Sequence, residues 1–454
     1  MKRTVVGELK GKKIAILGLG AEGRSLLKFL NEQGAVPSVH DRLNNIAAPE
    51  GARIFSIKLG EDYLEDIQSY DVVFRSPGLP RLHPALVAAE KAGVTISSHT
   101  KLFFELCPSL IIGVTGTKGK GTTASLVHEM ILASSKQAFL GGNIGTPPLD
   151  FLKSLSENSI VVPELSSFQL QDLDISPSIA LITNLASEHL DHHRTAEEYR
   201  EAKLNILRYQ DSLGCAILNA DDEVLKLSAA GMRSKKYWFS TQAITEPGAY
   251  AIDGSLFQSL DGEEIKICDI SEIKLRGIHN VGNILAASIA ARLAGANIGA
   301  IRSVISSFET LPHRLKFIGK FRGVDYYDDS FGTIPETAMI ALESFETPKV
   351  LILGGSEKKS SFAELARRIV NANVRGVVLV GETGPRIWAE LQKAGYLGLV
   401  SHDAESMKEM VDAACSLAKP GDVVILSPAS ASFGMFRDYK DRGDQFVKEV
   451  LALK

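Results

Sequence analysis

A glycine-rich string that carries two lysines is the part of the sequence with the clearest chemistry. TGTKGKGTT, residues 115–123, separates an apolar run at residues 110–114 from a helical pattern at residues 122–130. Glycines let backbone N–H groups turn inward around a phosphate, and the N-terminus of the following helix adds a partial positive charge. Lys120 would reach the terminal phosphates of a nucleotide. The pattern therefore predicts a buried strand, a phosphate-binding loop and a helix.

This loop departs from the usual P-loop pattern at two positions. Val114 stands where the first glycine is expected, and Gly121 stands where Ser or Thr usually follows the lysine to bind Mg²⁺. Thr122 or Thr123 must then supply that hydroxyl. The alternative is a turn that binds nothing, but a plain connection does not need so many glycines, each of which loses conformational freedom on folding.

A second glycine-rich string follows the first predicted strand. GLGAEG, residues 18–23, comes after KKIAIL, a helix is predicted at residues 25–33, and the next strand ends at Asp41. In this arrangement glycines approach a diphosphate and the acid binds a ribose hydroxyl. Ser76 and Gly78 follow another strand and belong to the same predicted sheet edge. We predict a nucleotide-diphosphate ligand here; a tight turn with no ligand is the alternative.

Polar residues also follow the strands after the phosphate loop. Glu164 ends an apolar strand, a position that suits Mg²⁺. His189 opens HLDHH, residues 189–193, whose spacing lacks a zinc pattern, so one histidine near Mg²⁺ is favoured over zinc. Lys203 lies beside the apolar stripe of a helix predicted at residues 195–209, and a lysine that extends along the surface is the alternative.

The remaining patterns predict an α/β fold with three domains. Residues 215–275 alternate in short strands typical of a small β subdomain attached to a central parallel sheet, and strands separated by helices then form a second doubly wound, Rossmann-like sheet. We place a Rossmann-like ligand-binding domain at residues 1–98, a P-loop ATPase-like domain at residues 99–310 and the C-terminal domain at residues 311–454.

Composition limits the classes of function. The 454 residues suit about three domains. A net charge of −4 gives no electrostatic reason to expect nucleic acid as a partner. The four cysteines form no CxxC pair, and no apolar run approaches the about 18 residues that a membrane span needs. We expect a monomer in the cytoplasm.

Ten strings that occur in order along the chain resemble the Mur ligase family. They are GVTGTKGKGTT, GGNIGTP, ELSSFQL, TNLASEHLDHH, AEEYREAKLNIL, HNVGN, LPHRLK, DDSFGT, LGGSEKK and SPASASFG. ELSSFQL and SPASAS are most similar to the branch that adds D-glutamate to UDP-N-acetylmuramoyl-L-alanine. The resemblance implies an ATP-dependent ligase: ATP converts the substrate carboxylate to an acyl phosphate, which the amine of D-glutamate attacks.

The resemblance also implies roles for residues that match the family's motifs. Lys120, His189 and Lys203 are the expected catalytic residues. ATP is expected at Gly116, Thr117, Lys118, Gly119, Lys120, Gly121, Thr122, Asn280, Asn283, Arg314 and Asp329. Mg²⁺ is expected at Thr122, Glu164, His189 and Lys203, the last carrying a carbamate. The uridine diphosphate sugar is expected at Gly18, Asp41, Arg42, Ser76, Gly78, Asn143, Ser166 and Gln169. D-Glutamate is expected at Thr333, Lys358, Ser432 and Tyr439.

The chain departs from the family pattern at four positions. Gly121 follows the loop lysine, Phe331 stands where this branch usually has a lysine, Pro163 precedes Glu164, and Leu43 stands where an arginine is expected. Three alternatives stay open: a folylpolyglutamate-type or other Mur-type ligase, a nicotinamide oxidoreductase, and a nonenzymatic P-loop protein. The domain before residue 99 argues against the folylpolyglutamate type.

Overall fold

The computed structural model of the protein describes residues 9–185, 195–260, 262–275, 277–309, 312–357, 360–402 and 404–453. The described residues fall into two compact units. One consists of residues up to 274 together with residues 278–308, and the other of residues 275–277 and the chain from residue 309 onward.

The first sheet of the first unit has five parallel strands in the order β3-β2-β1-β4-β5. Its strands are β1 Ile14–Leu17, β2 Ser38–Asp41, β3 Ile57–Leu59, β4 Val72–Arg75 and β5 Thr95–Ser97, and its helices are α1 Ala21–Glu32, α2 Pro84–Lys91 and α3 His99–Leu106. The strand order reverses between β1 and β4, and ligands of open α/β sheets bind at such a point. This topology places the turn at Gly18 beside the turn at Ser76.

The second sheet has nine strands in the order β14-β13-β12-β11-β10-β9-β6-β8-β7. Its strands are β6 Leu110–Thr115, β7 Ala138–Gly142, β8 Ile160–Glu164, β9 Ile179–Ile182, β10 Cys215–Asn219, β11 Lys235–Ser240, β12 Gly248–Ile252, β13 Ser255–Leu260 and β14 Glu263–Asp269. Its helices are α4 Lys120–Ala133, α5 Pro148–Phe151, α6 Ser167–Leu170, α7 Ala196–Arg208, α8 Glu223–Ser228, α9 Ile278–Leu293 and α10 Ile298–Ser307. Strand β6 pairs in parallel with β8 and β9, so three polar strand ends meet at one edge.

The short strands predicted for a small β subdomain belong to this central sheet and form no sheet of their own. Strand β10 pairs in parallel with β9, and β11 and β12 continue the parallel series. Strand β13 pairs antiparallel with both β12 and β14. The subdomain is therefore an extension of the sheet that carries the phosphate loop.

The second unit has a six-stranded sheet in the order β15-β16-β20-β17-β18-β19. Its strands are β15 Lys316–Phe321, β16 Val324–Asp328, β17 Lys349–Gly354, β18 Val374–Val380, β19 Leu399–Ser401 and β20 Val423–Leu426, and its helices are α11 Pro335–Glu343, α12 Ala363–Asn371, α13 Gly384–Lys393, α14 Met407–Leu417 and α15 Tyr439–Leu451. Every pairing is parallel except that of β15 with β16. The predicted α/β fold is confirmed. Each sheet lies inside one predicted domain range, whereas the limits at residues 98 and 310 remain predictions.

Polar contacts join the two sheets of the first unit. Helix α1 contributes Ser25, whose hydroxyl donates to Asp150 Oδ1 at 2.8 Å. Arg75 pairs with Asp172 at 2.6 Å, and both side chains are buried. One partner of each bond belongs to the region of the five-stranded sheet and the other to the region of the nine-stranded sheet, so these bonds fix the two regions relative to each other.

Candidate active site

The loop after β6 has the backbone shape that a phosphate-binding loop needs. Gly116 has φ +144° and Gly119 has φ +82°, the left-handed region that favours glycine. A Cβ at Gly116 would collide with the hydroxyl of Thr183, and one at Gly119 would collide with the amide of Asn283. Glycines are therefore required at both positions. Helix α4 begins at Lys120, two residues earlier than predicted.

Residues at the end of β9 hold this loop in place. Asn184 accepts from the Thr117 N–H with its carbonyl and from the Lys118 N–H with its Oδ1, both at 2.9 Å. The Lys118 carbonyl accepts from Thr183 Oγ1 at 2.6 Å and from Asn184 Nδ2 at 3.0 Å. Thr183 was not among the predicted site residues, although its place at the end of the adjacent strand could have indicated it.

Two lysines converge on the loop. Lys120 Nζ donates to the Thr117 carbonyl at 2.8 Å, and Lys203 Nζ donates to the Gly116 carbonyl at 2.7 Å. Lys203 is buried and lies 4.9 Å above the ring of Tyr199, whose hydroxyl donates to Thr117 Oγ1 at 3.1 Å. The alternative in which Lys203 extends along the surface is wrong, because the side chain points into the loop.

Two asparagines of α9 lie behind the start of α4. Thr123 Oγ1 donates to Asn283 Oδ1 at 3.3 Å, and Asn283 Nδ2 donates to Asn280 Oδ1 at 2.9 Å. All three residues are buried. Thr123 is thus engaged with Asn283, whereas the described residues offer no hydrogen-bond partner to the Thr122 hydroxyl. Of the two threonines, Thr122 is therefore the better candidate for Mg²⁺.

Glu164 has the properties of a divalent cation ligand. It ends β8 beside the phosphate loop and is 1% exposed. Asn143 Nδ2 donates to Glu164 Oε1 at 3.2 Å, whereas Oε2 is buried with no hydrogen-bond partner among the described residues. A buried carboxylate oxygen without a donor fits a hard cation such as Mg²⁺.

The N-terminal glycine loop is fixed by Asp41. Asp41 Oδ2 accepts from the Leu19 N–H at 2.7 Å, and Oδ1 accepts from the Leu43 N–H at 2.9 Å. Gly18 has φ +92°, and a Cβ there would lie 2.8 Å from Ser76 Cβ, so the two turns lie against each other as predicted from the sheet edge. Asp41 positions the loop backbone through both oxygens, a role that sequence spacing did not predict.

The remaining residues expected at the nucleotide sugar lie around these turns and after β7 and β8. Arg42, Gly78 and Asn143 are exposed. Ser166 and Gln169 form a capping box at α6, in which Gln169 Oε1 accepts from the Ser166 N–H at 2.8 Å. Gln169 Nε2 also donates to Glu22 Oε1, so this capping box contacts the N-terminal glycine loop.

In the second unit, Arg314 and Asp329 lie close together. The Arg314 guanidinium stacks 3.8 Å above the ring of Phe331. Asp329 Oδ2 accepts from Ser427 Oγ at 2.6 Å and Oδ1 accepts from the Leu315 N–H at 3.1 Å. Burial raises the pKa of the Asp329 carboxyl to about 7. Phe331, one of the departures noted in the sequence, thus contacts Arg314 through the face of its ring.

Three of the residues expected at D-glutamate follow strands of this unit. Thr333 follows β16, and Ser432 and Tyr439 follow β20, its neighbour in the sheet. The rings of Tyr439 and Phe331 meet edge to face at 5.0 Å. Arg442, which the sequence analysis did not predict, connects the loops that follow β16 and β20. It donates to Ser330 Oγ at 2.9 Å and to the Ser430 carbonyl at 3.2 Å.

His189 and Lys358 lie outside the described residues. Within the described part, no group of three or more His, Cys, Asp or Glu side chains is arranged to hold a metal ion. The same part contains no helix long and apolar enough to cross a membrane.

These features define an α/β protein whose nine-stranded sheet carries a loop with the backbone shape of a phosphate-binding loop. Models of one family match most of the chain: the MurD-like N-terminal domain of Mur ligases at residues 12–98, the Mur ligase middle domain at residues 114–291 and the Mur ligase glutamate ligase domain at residues 313–430. A UDP-N-acetylmuramoylalanine–D-glutamate ligase from Symbiobacterium thermophilum is 38% identical over 451 residues, which cover 97% of this chain and 98% of that protein. A protein of the same name from Acetivibrio thermocellus is 36% identical over 458 residues and 98% of each chain.

Solved structures agree on the fold. The UDP-N-acetylmuramate-alanine ligase MurC from Thermotoga maritima matches with a TM-score of 0.58 at 20% identity, covering 98% of this chain and 100% of that one. The MurF ligase from Thermotoga maritima in complex with ADP also has a TM-score of 0.58, at 18% identity, covering 98% and 97%. The chain belongs to the Mur ligase family, and it is a ligase, which confirms the resemblance seen in its motifs.

Proposed function

We propose that this protein joins D-glutamate to UDP-N-acetylmuramoyl-L-alanine in peptidoglycan precursor biosynthesis, with ATP and Mg²⁺. The observation that carries the proposal is the phosphate loop. Its carbonyl groups accept hydrogen bonds from Lys120 and Lys203, and the loop lies beside the buried Glu164. Relatives named for this reaction match nearly the whole chain.

The first step of the proposed reaction is a phosphoryl transfer, and the charged groups at the loop suit it. The carboxylate of the alanine attacks the γ-phosphorus of ATP, the bond to ADP breaks, and an acyl phosphate forms. Catalysis of such a transfer consists mainly of positioning and charge neutralisation. Backbone N–H groups between Gly116 and Gly121, other than those of Thr117 and Lys118 that bond Asn184, and the ammonium of Lys120 would hold the β- and γ-phosphates. Bound Mg²⁺ would neutralise further negative charge, and Thr122 and Glu164 are the described residues that would hold it.

The second step forms the amide. The neutral amine of D-glutamate attacks the acyl carbon, phosphate leaves, and the amine releases a proton. The two carboxylates of D-glutamate need a cation and hydroxyl donors, and Lys358, Thr333, Ser432 and Tyr439 supply these groups in our assignment. Asn280, Asn283, Arg314 and Asp329 are assigned to ATP.

Lys203 is assigned the carbamate that the family resemblance implies. A carbamate converts the cationic side chain to an anion, which would attract Mg²⁺ instead of repelling it. The position of the Lys203 side chain supports the assignment, because it is buried against the loop assigned to the phosphates and Mg²⁺, where the charge of a carbamate would act directly on the cation.

The uridine diphosphate sugar is assigned to the N-terminal sheet. The turn at Gly18 and the N-terminus of α1 suit a diphosphate, and Ser76 and Arg42 lie at the same edge. This assignment accounts for a dinucleotide-type fingerprint without a nicotinamide. We also propose that the protein acts in the cytoplasm as a monomer, which size-exclusion chromatography with light scattering would test.

Phosphate release with single amino acids tests the proposed function. With ATP, Mg²⁺ and UDP-N-acetylmuramoyl-L-alanine, we expect D-glutamate to support faster release than L-alanine, L-lysine or diaminopimelate. Mass spectrometry should show a product heavier by one glutamyl residue. Faster release with one of the other amino acids would overturn the substrate assignment. Absence of release with every amino acid would overturn the proposed reaction, and NADH fluorescence on mixing would test the oxidoreductase alternative.

A further inference from the structure

The turn that follows β18 carries a buried threonine, Thr383, which is not among the residues predicted from the sequence. Its hydroxyl lies 2.8 Å from that of Ser430, which is also buried. Strand β17 lies between β18 and β20 and pairs in parallel with both, so the three strands end at one edge of the sheet. The two hydroxyls therefore meet across the carboxyl end of β17 and join the turns of two strands that are not neighbours.

Thr383 also holds the turn that follows β17. The Gly355 N–H donates to Thr383 Oγ1 at 3.0 Å, and the Gly355 carbonyl accepts from the Thr383 N–H at 3.1 Å. Because an amide N–H can only donate, Thr383 Oγ1 is the acceptor in the first of these bonds. An apolar side chain of the same shape would remove this acceptor from a buried N–H, which is costly.

The turn after β17 in turn contacts the chain beside Ser432. The Ser356 N–H donates to the Ala431 carbonyl at 2.9 Å. Gly355 has φ +154°, and a Cβ there would lie 2.1 Å from the same carbonyl, so the two backbones are in close approach. Ser432, the next residue, is buried and takes its position from this contact.

The contacts that Glu357 makes with the segment after β18 lie near the surface. Glu357 pairs with Arg386, and these side chains are 37% and 46% exposed. The Glu357 N–H donates to Glu382 Oε2 at 3.1 Å, also at an exposed position. Exposed ion pairs contribute little because water competes for both partners. Thr383 therefore supplies the buried connection between the turns.

We propose that Thr383 is a positioning residue for the amino-acid substrate, because its hydroxyl fixes the turns after β17 and β20 and through them Ser432. This inference rests on the proposed function, which assigns Ser432 to D-glutamate. A hydroxyl bonds a carboxylate only within a narrow range of distance and angle, so a shift of this turn weakens binding of the amino acid. ATP and the nucleotide sugar are assigned to other residues, and their binding should change less.

Thr383→Val is the diagnostic variant, since valine has nearly the same shape and lacks the hydroxyl. Steady-state phosphate release by the full-length protein, with ATP, Mg²⁺ and UDP-N-acetylmuramoyl-L-alanine, gives the KM for each substrate. We expect the KM for D-glutamate to rise about tenfold, the factor that one hydrogen bond typically contributes, and the other two KM values to stay within about twofold of the parent. A merely structural role would lower kcat or the active fraction and leave all three KM values unchanged.

Three further variants complete the test. Thr383→Ser keeps the hydroxyl, so its KM for D-glutamate should stay within about twofold of the parent. Ser430→Ala removes the partner hydroxyl and should raise the same KM, and the double variant should raise it by less than the product of the two single effects. Thr347→Val is the matched control, since this exposed threonine precedes the opposite end of β17. It should keep every KM of the parent.

The outcomes separate the two proposals. An unchanged KM for D-glutamate in Thr383→Val, an equal rise for all three substrates, or no recovery in Thr383→Ser overturns the role of Thr383, while the proposed function stands. Absence of release by the parent with D-glutamate overturns the proposed function and this inference with it. If Thr383→Val does not fold, Ser430→Ala decides: a rise confined to D-glutamate supports the inference, and unchanged KM values overturn it.

Discussion

The ammonium of Lys203 donates a 2.7 Å hydrogen bond to the carbonyl of Gly116, the first residue of the phosphate loop turn. This bond joins α7 to the loop, and Tyr199 on the same helix adds a second bond to Thr117 at 3.1 Å. The side chain that is assigned a carbamate is thus in direct contact with the loop assigned to ATP. Its replacement should affect catalysis through charge as well as through loop position.

Lys203→Ala should lower the rate of ligation by about 100-fold or more, because one electrostatic group is lost from the site. If the carbamate acts, formate or acetate should restore part of the activity by replacing the negative charge. Steady-state phosphate release with added carboxylates measures the effect. Rescue by methylammonium but not by carboxylates would mean that the lysine acts as a cation and would contradict the carbamate.

Lys120→Ala should lower kcat by about 100- to 1,000-fold, because its ammonium neutralises charge that develops during phosphoryl transfer. The fold should persist, because the hydrogen bond from Lys120 to the Thr117 carbonyl lies within one loop. Single-turnover phosphate release and circular dichroism measure the two effects. Lys153→Ala is the control, since its side chain is 69% exposed. An activity near that of the control would refute the role of Lys120.

Thr122→Ala should raise the Mg²⁺ concentration needed for half-maximal activity, because Thr122 is the hydroxyl that remains for the cation. Thr123→Ala is the matched variant: its hydroxyl bonds Asn283 at 3.3 Å, so we expect a change in ATP binding rather than in Mg²⁺ requirement. Mg²⁺ titrations at saturating ATP compare the two. If only Thr123→Ala shifts the Mg²⁺ dependence, the assignment of the two threonines is reversed.

The sequence predicted the strands and the polar turns that follow them but not how long the flanking helices are. Helix α1 was predicted to begin at residue 25 and begins at Ala21, inside the glycine string. A Cβ at Gly23 would collide with the Gly18 carbonyl, so the glycine lets the first turn of the helix pack on the strand end. A glycine in the sequence usually predicts a loop, whereas Gly23 lies in a helix and permits its close packing.

Contacts between distant parts of the chain were not predictable. Glu22 and Gln169 are 147 residues apart, and Arg75 and Asp172 are 97 apart. The pairing of the strands from Cys215 onward was not predictable either, because alternation of apolar and polar residues identifies a strand but not its partner. In the structure these strands pair with the central sheet. Local periodicity in the sequence indicates whether a segment is a helix or a strand, whereas the pairing of strands depends on tertiary packing.

Phe331→Leu should raise the KM for ATP by about twofold to fivefold, since an exposed cation–π contact contributes about 0.5–1 kcal/mol. The Arg314 guanidinium is 3.8 Å from the ring centroid, and leucine would remove this stacking contact. Initial rates at varied ATP measure the change. Phe317→Leu, at a half-exposed ring of the same unit, is the control. Equal KM values in parent and Phe331→Leu would contradict a role for the stacking.

Asp329 should make stability depend on pH. Burial, with a smaller contribution from the negative charge of Asp328, raises the pKa of its carboxyl to about 7, while the Ser427 hydroxyl opposes the shift. An unfolded chain releases this proton near pH 4. Between these values the native protein binds more protons than the unfolded chain, so this carboxyl's contribution to the free energy of unfolding falls as pH rises towards about 7.

Asp329→Asn isolates this contribution. Since each pKa unit corresponds to about 1.4 kcal/mol, the parent should lose a few kcal/mol more than the variant between about pH 4.5 and about pH 7. The slopes must be compared rather than the absolute stabilities, because an asparagine NH₂ would face one of the two donors, Ser427 Oγ or the Leu315 N–H. Urea unfolding of the full chain at several pH values gives the slopes. Asp325→Asn is the control on the same strand, where the carboxylate pairs with Lys320 at 3.3 Å near the surface. A slope for Asp329→Asn equal to that of the parent would show that Asp329 is ionised throughout this range.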